Sequence, residues 1–196
     1  MFPIPLSTRS LSQTFRHGLP KYFSQAELRE ILSEELRQKD YSSWFLIYFL
    51  SRSGCRISEA LRLTVANVDF ANRVLHCPTL KRRSHQERSI PITGETAGVV
   101  AEFISRTNLQ RQDNFFKYTR KTAFLRVQKA CRMAGLVDER CHPHTFRHTF
   151  AVNSVLSGIP LPVLQAWLGH RDISNTLIYT QVLAVDSHHF IEKINW

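Results

Sequence analysis

Residues 141–181 read CHPHTFRHTFAVNSVLSGIPLPVLQAWLGHRDISNTLIYTQ, and the rest of the chain is organised to present them. Pro143 suits the first position of a helix, which places His144 in the first turn and Arg147 on the same face. Phe146, Phe150, Ala151, Val155 and Leu156 supply the core side of that helix, and Gly158 closes it. A second helix over Pro162–Leu168 stops at Gly169, with His170 at the break. A final short helix carries Tyr179, with Leu177, Ile178 and Val182 packing it down. Two histidines, an arginine and a tyrosine make a poor core, because each needs a buried partner to offset desolvation. They make sense as a basic pocket around a phosphate with a phenol placed to attack it.

Composition narrows the partner. With 196 residues, 43% of them hydrophobic and 11% aromatic, the chain is long enough to bury a sizeable core as one large domain or one domain with a short arm. Against 16 Asp and Glu stand 26 Lys and Arg, a formal charge of +10 that favours a polyanion, nucleic acid first. The most apolar window, Trp44–Leu50, falls far short of the ~20 residues that span a bilayer, and the mixed start Met1–Ser12 does not read as a signal peptide. Cysteines 55, 77, 131 and 141 lack CxxC spacing, so they suggest reduced thiols in a cytoplasmic protein rather than a zinc site or a disulfide framework.

In chain order, residues 1–23, with three prolines and little periodicity, read as an arm or linker. Ser24 and Glu27 form a capping box ahead of a helix with Leu28, Ile31, Leu32 and Leu36 on one face. A helix over Tyr41–Arg52, apolar on most faces, belongs in the middle of the domain. After Gly54, Arg56 and Glu59 share one face of a new helix; a surface pair of this kind contributes only about 0.3–0.5 kcal/mol, but Ile57, Ala60, Leu61 and Leu63 surround it. Val74–Cys77 and Arg88–Ile92 read as a hairpin of a small antiparallel sheet, its tip carrying Lys81, Arg82 and Arg83. A solvated basic loop and a flexible device that delivers a lysine both fit that tip. Glu95–Arg106 forms an amphipathic helix. Thr119–Ala134 forms another, with Ala123, Phe124, Val127, Ala130 and Cys131 inward and Arg120, Lys121, Arg126, Lys129 and Arg132 on a polar face able to track a DNA backbone. A zinc cluster of Cys141, His142, His144 and His148 is the metal alternative; it leaves the basic residues unexplained, and Thr145 stands where a hydrolytic His-Glu-x-x-His motif needs Glu.

Gly54-Cys55-Arg56-Ile57-Ser58-Glu59, Lys81 in a hairpin, His144-Thr145-Phe146-Arg147-His148-Thr149, Leu168-Gly169-His170 and Thr176-Leu177-Ile178-Tyr179-Thr180 together resemble the signature of the tyrosine recombinase (phage integrase) family, in the family's order, over residues 24–182. The resemblance implies an α+β, mainly helical catalytic domain with a small antiparallel sheet. It implies an enzyme that cleaves and rejoins double-stranded DNA at a specific site through a 3′-phosphotyrosine intermediate, without metal, cofactor or ATP. Tyr179 is then the nucleophile, Arg56 and Arg147 bind the phosphate, and His144 accepts the phenolic proton. Lys81 protonates the leaving 5′-oxygen, His170 donates a hydrogen bond to the phosphate, and Glu59 orients the site from behind. Arg82, Arg83, Arg120, Lys121, Arg126 and Lys129 are the DNA-binding candidates.

Members of the family commonly carry a separate helical DNA-binding domain first, whereas only about 23 residues precede Ser24 here, a short plan resembling that of fimbrial-switch invertases. The implied partners are a homo-oligomer on DNA, tetrameric in the synapse, and accessory DNA-bending proteins, in a bacterial cytoplasm and with a phage or plasmid as an alternative source. The tail 183–196 is expected either to fold back or to dock on a neighbouring subunit. A type IB topoisomerase and a DNA-binding regulator without cleavage remain the alternatives.

Overall fold

The computed structural model describes residues 20–78 and 87–183. The helix expected from Ser24 is two helices, α1 (Gln25–Ile31) and α2 (Glu34–Lys39). Ser24 Oγ accepts from Glu27 N at 3.1 Å and Glu27 returns a bond to Ser24 N at 2.8 Å. A second cap explains the break: Ser33 Oγ accepts from Leu36 N and starts a new helix where the old one would have continued. Leu28, Ile31 and Leu36 are buried across the break, so the period read from the sequence survives it. The predicted arm ends earlier than expected. Phe23 is fully buried, its N–H donates to Thr149 Oγ1 at 3.0 Å, and its ring lies 5.0 Å from that of Phe146.

α3 (Tyr41–Ser53) is the central helix, buried without interruption from Ser43 to Ser51. Phe45 stacks on Phe103 of α5 (Gly94–Thr107) with ring centroids 3.7 Å apart, and Phe49, Phe115 and Phe116 complete the aromatic cluster. Its buried hydroxyls are satisfied locally, Ser51 donating to Tyr48 O and Ser53 to Phe49 O. The helix ends at Gly54 in the left-handed region (φ +62°), where an added Cβ would lie 2.4 Å from Phe150 Cδ1. Gly54→Ala is therefore expected to combine a left-handed backbone penalty of about 1–2 kcal/mol with overpacking of about 1–3 kcal/mol, read as a lowered Tm in thermal unfolding.

A four-residue helix, α4 (Ile57–Ala60), follows Arg56 and leads through a 3-10 turn at Val65–Asn67 to the sheet. β1 (Val68–Asp69), β2 (Val74–Pro78) and β3 (Glu87–Pro91) pair antiparallel in that order, with Leu75 opposite Ile90 and Cys77 opposite Arg88. The expected hairpin is present; β1 is too short to announce itself by alternation. Lys81, Arg82 and Arg83, the arm up to residue 19 and the tail from 184 lie outside the described residues.

On α6 (Arg120–Met133), Ala123, Val127, Ala130 and Cys131 are buried as expected. Phe124 was expected inward and is 40% exposed, because it follows Ala123 by one position and so turns about 100° away from the core stripe. The carboxyl-terminal part comprises α7 (Pro143–Leu156), α8 (Leu161–Leu168), α9 (Ser174–Leu177) and α10 (Thr180–Leu183). Tyr179 sits between the last two rather than within one helix. Val182 packs inward as expected, while Leu177, expected to pack, is 47% exposed.

The apolar interior forms two clusters, one around α3 that takes in Phe146 and a smaller one of Ala151, Val152, Val155, Leu164, Leu168, Tyr179 and Val182. α7 crosses from the first to the second. Arg147 and His148 therefore sit where the two cores meet, with the exposed His144 one turn before His148. No helix among the described residues is long and apolar enough to cross a membrane.

Candidate active site

Arg147 is only 1% exposed, donating from Nη1 to Gly54 O at 2.8 Å and from Nη2 to Leu168 O at 2.7 Å. Its hydrogen-bond partners are backbone carbonyls rather than a carboxylate. Burial, aided by the nearby positive charge of Arg56, pulls its pKa down to about 10. A guanidinium in that state gains from an incoming anion.

Arg56 is the half-exposed N-cap residue of α4. Its backbone N–H and its Nη1 both donate to Glu59, at 2.7 and 3.0 Å, which brings together the pair expected from the sequence. Glu59 is 2% exposed and has a second partner that the sequence reading did not find: Arg88 on β3 donates from Nη1 and Nη2 to its two oxygens at 3.0 and 2.6 Å. Burial alone would push the Glu59 carboxyl up, but the bonds from Arg88 and then Arg56 hold it below its ordinary range. A signal did exist, since Arg88 occupies an inward position in the alternation of β3. What no pattern revealed is that the fold brings the Arg88 side chain against Glu59.

Tyr179 is 1% exposed, and its Oη lies 2.9 Å from His148 Nδ1. The proton acceptor expected from the sequence was His144. It lies one turn away, its ring 4.5 Å from and edge-on to that of His148, and exposed to solvent. His148 had been read as part of the His144–Thr149 motif and as a zinc-ligand alternative, with no role of its own in the reaction. The second turn of α7 faces the smaller core, where Tyr179 packs, and this decides which imidazole meets the phenol. His170 follows the left-handed Gly169 and holds Thr176 Oγ1 at 2.9 Å through Nδ1.

Burial, reinforced for His148 by His144 and Arg147 and for His170 by Arg147 and Arg56, lowers both imidazoles to about 4. Both are neutral at pH 7. Burial raises the Tyr179 phenol, with Arg147 and Arg56 acting in opposition. A histidine depressed by folding binds its proton more readily in the unfolded chain. Between the ordinary pKa of about 6.5 and about 4, stability therefore falls as the pH is lowered. Tm is expected to decline from pH 6.5 to 4.5, and less steeply in His148→Gln; equal slopes would assign the decline to other groups.

Arg120, Lys121 and Lys129 project into solvent. The first two line a cleft of about 460 Å³ with Ile57, Phe124, His142, Pro143 and His144, so the basic face of α6 runs into the site. Arg126 does not share that freedom. It pairs with Asp40 at 3.1 Å, donates to Ser43 Oγ at 3.0 Å and lies over the Tyr118 ring, an internal tie where a DNA contact was expected.

The zinc alternative is not assembled: Cys141 is buried with Sγ directed to Leu136 O. Among the described residues the donors that do converge are Cys55, Glu59 and Cys77, the two Sγ atoms 3.6 Å apart. Sequence spacing hid that proximity because α4 and β2 meet only in the fold. The Glu59 carboxylate there is already occupied by two guanidiniums, which makes the cluster a poor cation site.

The arrangement brings two guanidinium forks, three imidazoles and a phenol to the junction of α3, α7, α8 and the segment after α9. Comparison with known proteins shows what the chain is similar to in sequence and in fold. A tyrosine recombinase of Pseudothermotoga lettingae is 29% identical over 184 residues, covering 91% of this chain and 62% of its own. XerD of Pseudomonas putida is 33% identical over 181 residues, covering 84% and 58%. The chain thus spans about 60% of the length of the curated relatives it matches. In fold it superposes on the crystal structure of XerA recombinase with a TM-score of 0.75 at 20% identity, covering 95% of this chain and 69% of that one. It superposes on XerH bound to difH substrate with a TM-score of 0.68 at 22% identity, covering 86% and 52%. The model of the phage integrase family matches residues 21–185, and the chain belongs to that family.

Proposed function

We propose that this chain carries the strand-transfer centre of a site-specific DNA recombinase, working through a covalent tyrosyl–DNA intermediate. The observation that carries the reading is the Tyr179 hydroxyl on neutral His148, beside two arginines of which one is buried without a carboxylate hydrogen-bonded to it.

In this reading the scissile phosphate enters from the cleft side, where His144 is exposed, and takes the free N–H groups of Arg56 and Arg147. Charge growing on its equatorial oxygens is met by fixed donors, the main source of rate in such transfers. His170 supplies a further donor. The Tyr179 oxygen attacks phosphorus and its proton passes to His148, which accepts at Nδ1 when its own proton is on Nε2. The bond from phosphorus to the 5′-oxygen breaks, leaving a 3′-phosphotyrosine, and Lys81 protonates the departing oxygen. The ester retains the energy of the phosphodiester, so a 5′-hydroxyl can reverse the step without ATP. Because Tyr179 is 1% exposed, DNA must uncover it by moving the segment around α9 and α10 before attack.

The test uses a binding site selected from a random-sequence DNA pool and placed in a duplex nicked next to the scissile position, so that the cleaved fragment diffuses away. Wild-type protein is expected to leave an SDS-resistant protein–DNA adduct. Relaxation of plasmids irrespective of sequence would favour a topoisomerase, and specific binding with no adduct a non-cleaving regulator.

A further inference from the structure

Among the described residues Arg88 and Arg147 are the buried arginines, and only Arg147 has a role above. Arg88 is 8% exposed and uses its whole inner edge: two bonds to Glu59 and one from Nε to Trp167 O at 2.7 Å. Arg147 donates to the next carbonyl, Leu168 O, so two guanidiniums brace consecutive peptide units just before His170. The side chain of Arg88 also lies against the turn itself. An added Cβ at Gly169 would come within 3.1 Å of Arg88 Cδ.

Each Glu59 oxygen accepts two bonds, one from Arg56 and one from Arg88, which fills the acceptor capacity of a carboxylate. The charges divide accordingly. Glu59 and Arg88 cancel, and Arg56 and Arg147 are left with two positive charges for a phosphate. Without Arg88, a carboxylate that is 2% exposed would keep Arg56 as its only guanidinium partner. The unpaired half of that carboxylate would draw the Arg56 fork inward, since leaving a buried charge uncompensated is far more costly than rotating an exposed side chain.

We propose that Arg88 is a positioning residue for strand transfer. It neutralises Glu59 so that the Arg56 guanidinium stays directed at the phosphate, and it braces the Trp167–Gly169 turn that sets His170. This rests on the recombinase reading above.

The test measures single-turnover adduct formation on the nicked duplex, with Kd and Tm, for wild type, Arg88→Gln, Arg88→Lys and the double variant Arg88→Gln/Glu59→Gln. Misplacing one catalytic group by about 1 Å slows a reaction on the order of 100-fold, and that loss in rate, at little changed Kd, is expected for Arg88→Gln. The double variant should be faster than Arg88→Gln, because no carboxylate remains to capture Arg56, and Arg88→Lys should fall between wild type and Arg88→Gln. A merely structural role predicts the opposite order, with the double variant no faster than the single one. An Arg88→Gln rate equal to wild type, or a double variant as slow as Arg88→Gln, overturns the proposal. Should Arg88→Gln unfold at the assay temperature, Arg88→Lys decides: a slower rate at unchanged Tm supports the assignment and a wild-type rate overturns it. Wild type forming no adduct removes the recombinase reading and this assignment with it, whereas an active wild type with an unimpaired Arg88→Gln removes this assignment alone.

Discussion

Tyr179→Phe is expected to reduce covalent adduct formation to background while leaving the protein folded and bound to DNA at near wild-type affinity. The substitution removes one oxygen from a side chain whose ring is packed among Ala151, Val152, Val155, Leu164 and Leu168. The apolar contact survives. What is lost is the bond to His148 Nδ1, and a typical bond of this kind contributes about 0.5–1.5 kcal/mol to stability. Tm should therefore move little. Adduct formation has no comparable reserve, because the phenolic oxygen removed is the atom that would bond to phosphorus. Gel analysis after SDS treatment reads the rate, and thermal unfolding of the same preparations separates loss of chemistry from loss of fold.

The second large effect concerns Arg147. Arg147→Lys keeps a cation but loses the planar fork, which cannot then hold Gly54 O and Leu168 O and still present N–H groups to a phosphate. Removing a single preorganised donor from a developing oxyanion slows catalysis by about 100- to 1,000-fold, and Arg147→Lys is expected at the upper end because it disturbs more than one. Arg147→Ala should be as slow, and less stable as well. It leaves two buried carbonyls without a partner, each at a penalty of about 1–3 kcal/mol, partly offset by removing a guanidinium that burial already disfavours. Single-turnover adduct formation with Tm on each variant checks both statements. An Arg147→Lys enzyme within tenfold of wild type would contradict the account of the phosphate pocket.

Much of the site was legible because its residues fall on periodic, well-punctuated helices. Pro143 fixed the start of α7 and hence the common face of His144 and Arg147, Gly169 marked the break before His170, and the all-round apolar run of α3 located the centre of the core. The fold departed from the sequence reading where tertiary placement outweighed local pattern. Ser33 looked like an ordinary helical position until its hydroxyl proved to cap a second helix. The choice between His144 and His148 depends on which turn of α7 faces the second core, and a helical wheel does not contain that information. Arg88 is the clearest case: a charged residue on a short strand reads as edge decoration, and only the tertiary fold makes it the partner of Glu59. Arg126 is tied into the fold in a way its helix position does not announce, since it pairs with Asp40, 86 positions away.

The claim on which the rest depends is that the Tyr179 oxygen becomes bonded to DNA phosphorus. The measurement is mass spectrometry of the isolated adduct after nuclease and protease digestion, with end-group analysis of the released DNA. The account predicts a nucleotide attached through its 3′-phosphate to the peptide that contains Tyr179, and a free 5′-hydroxyl on the other fragment. A nucleotide on any other residue, or attached through a 5′-phosphate, would contradict it.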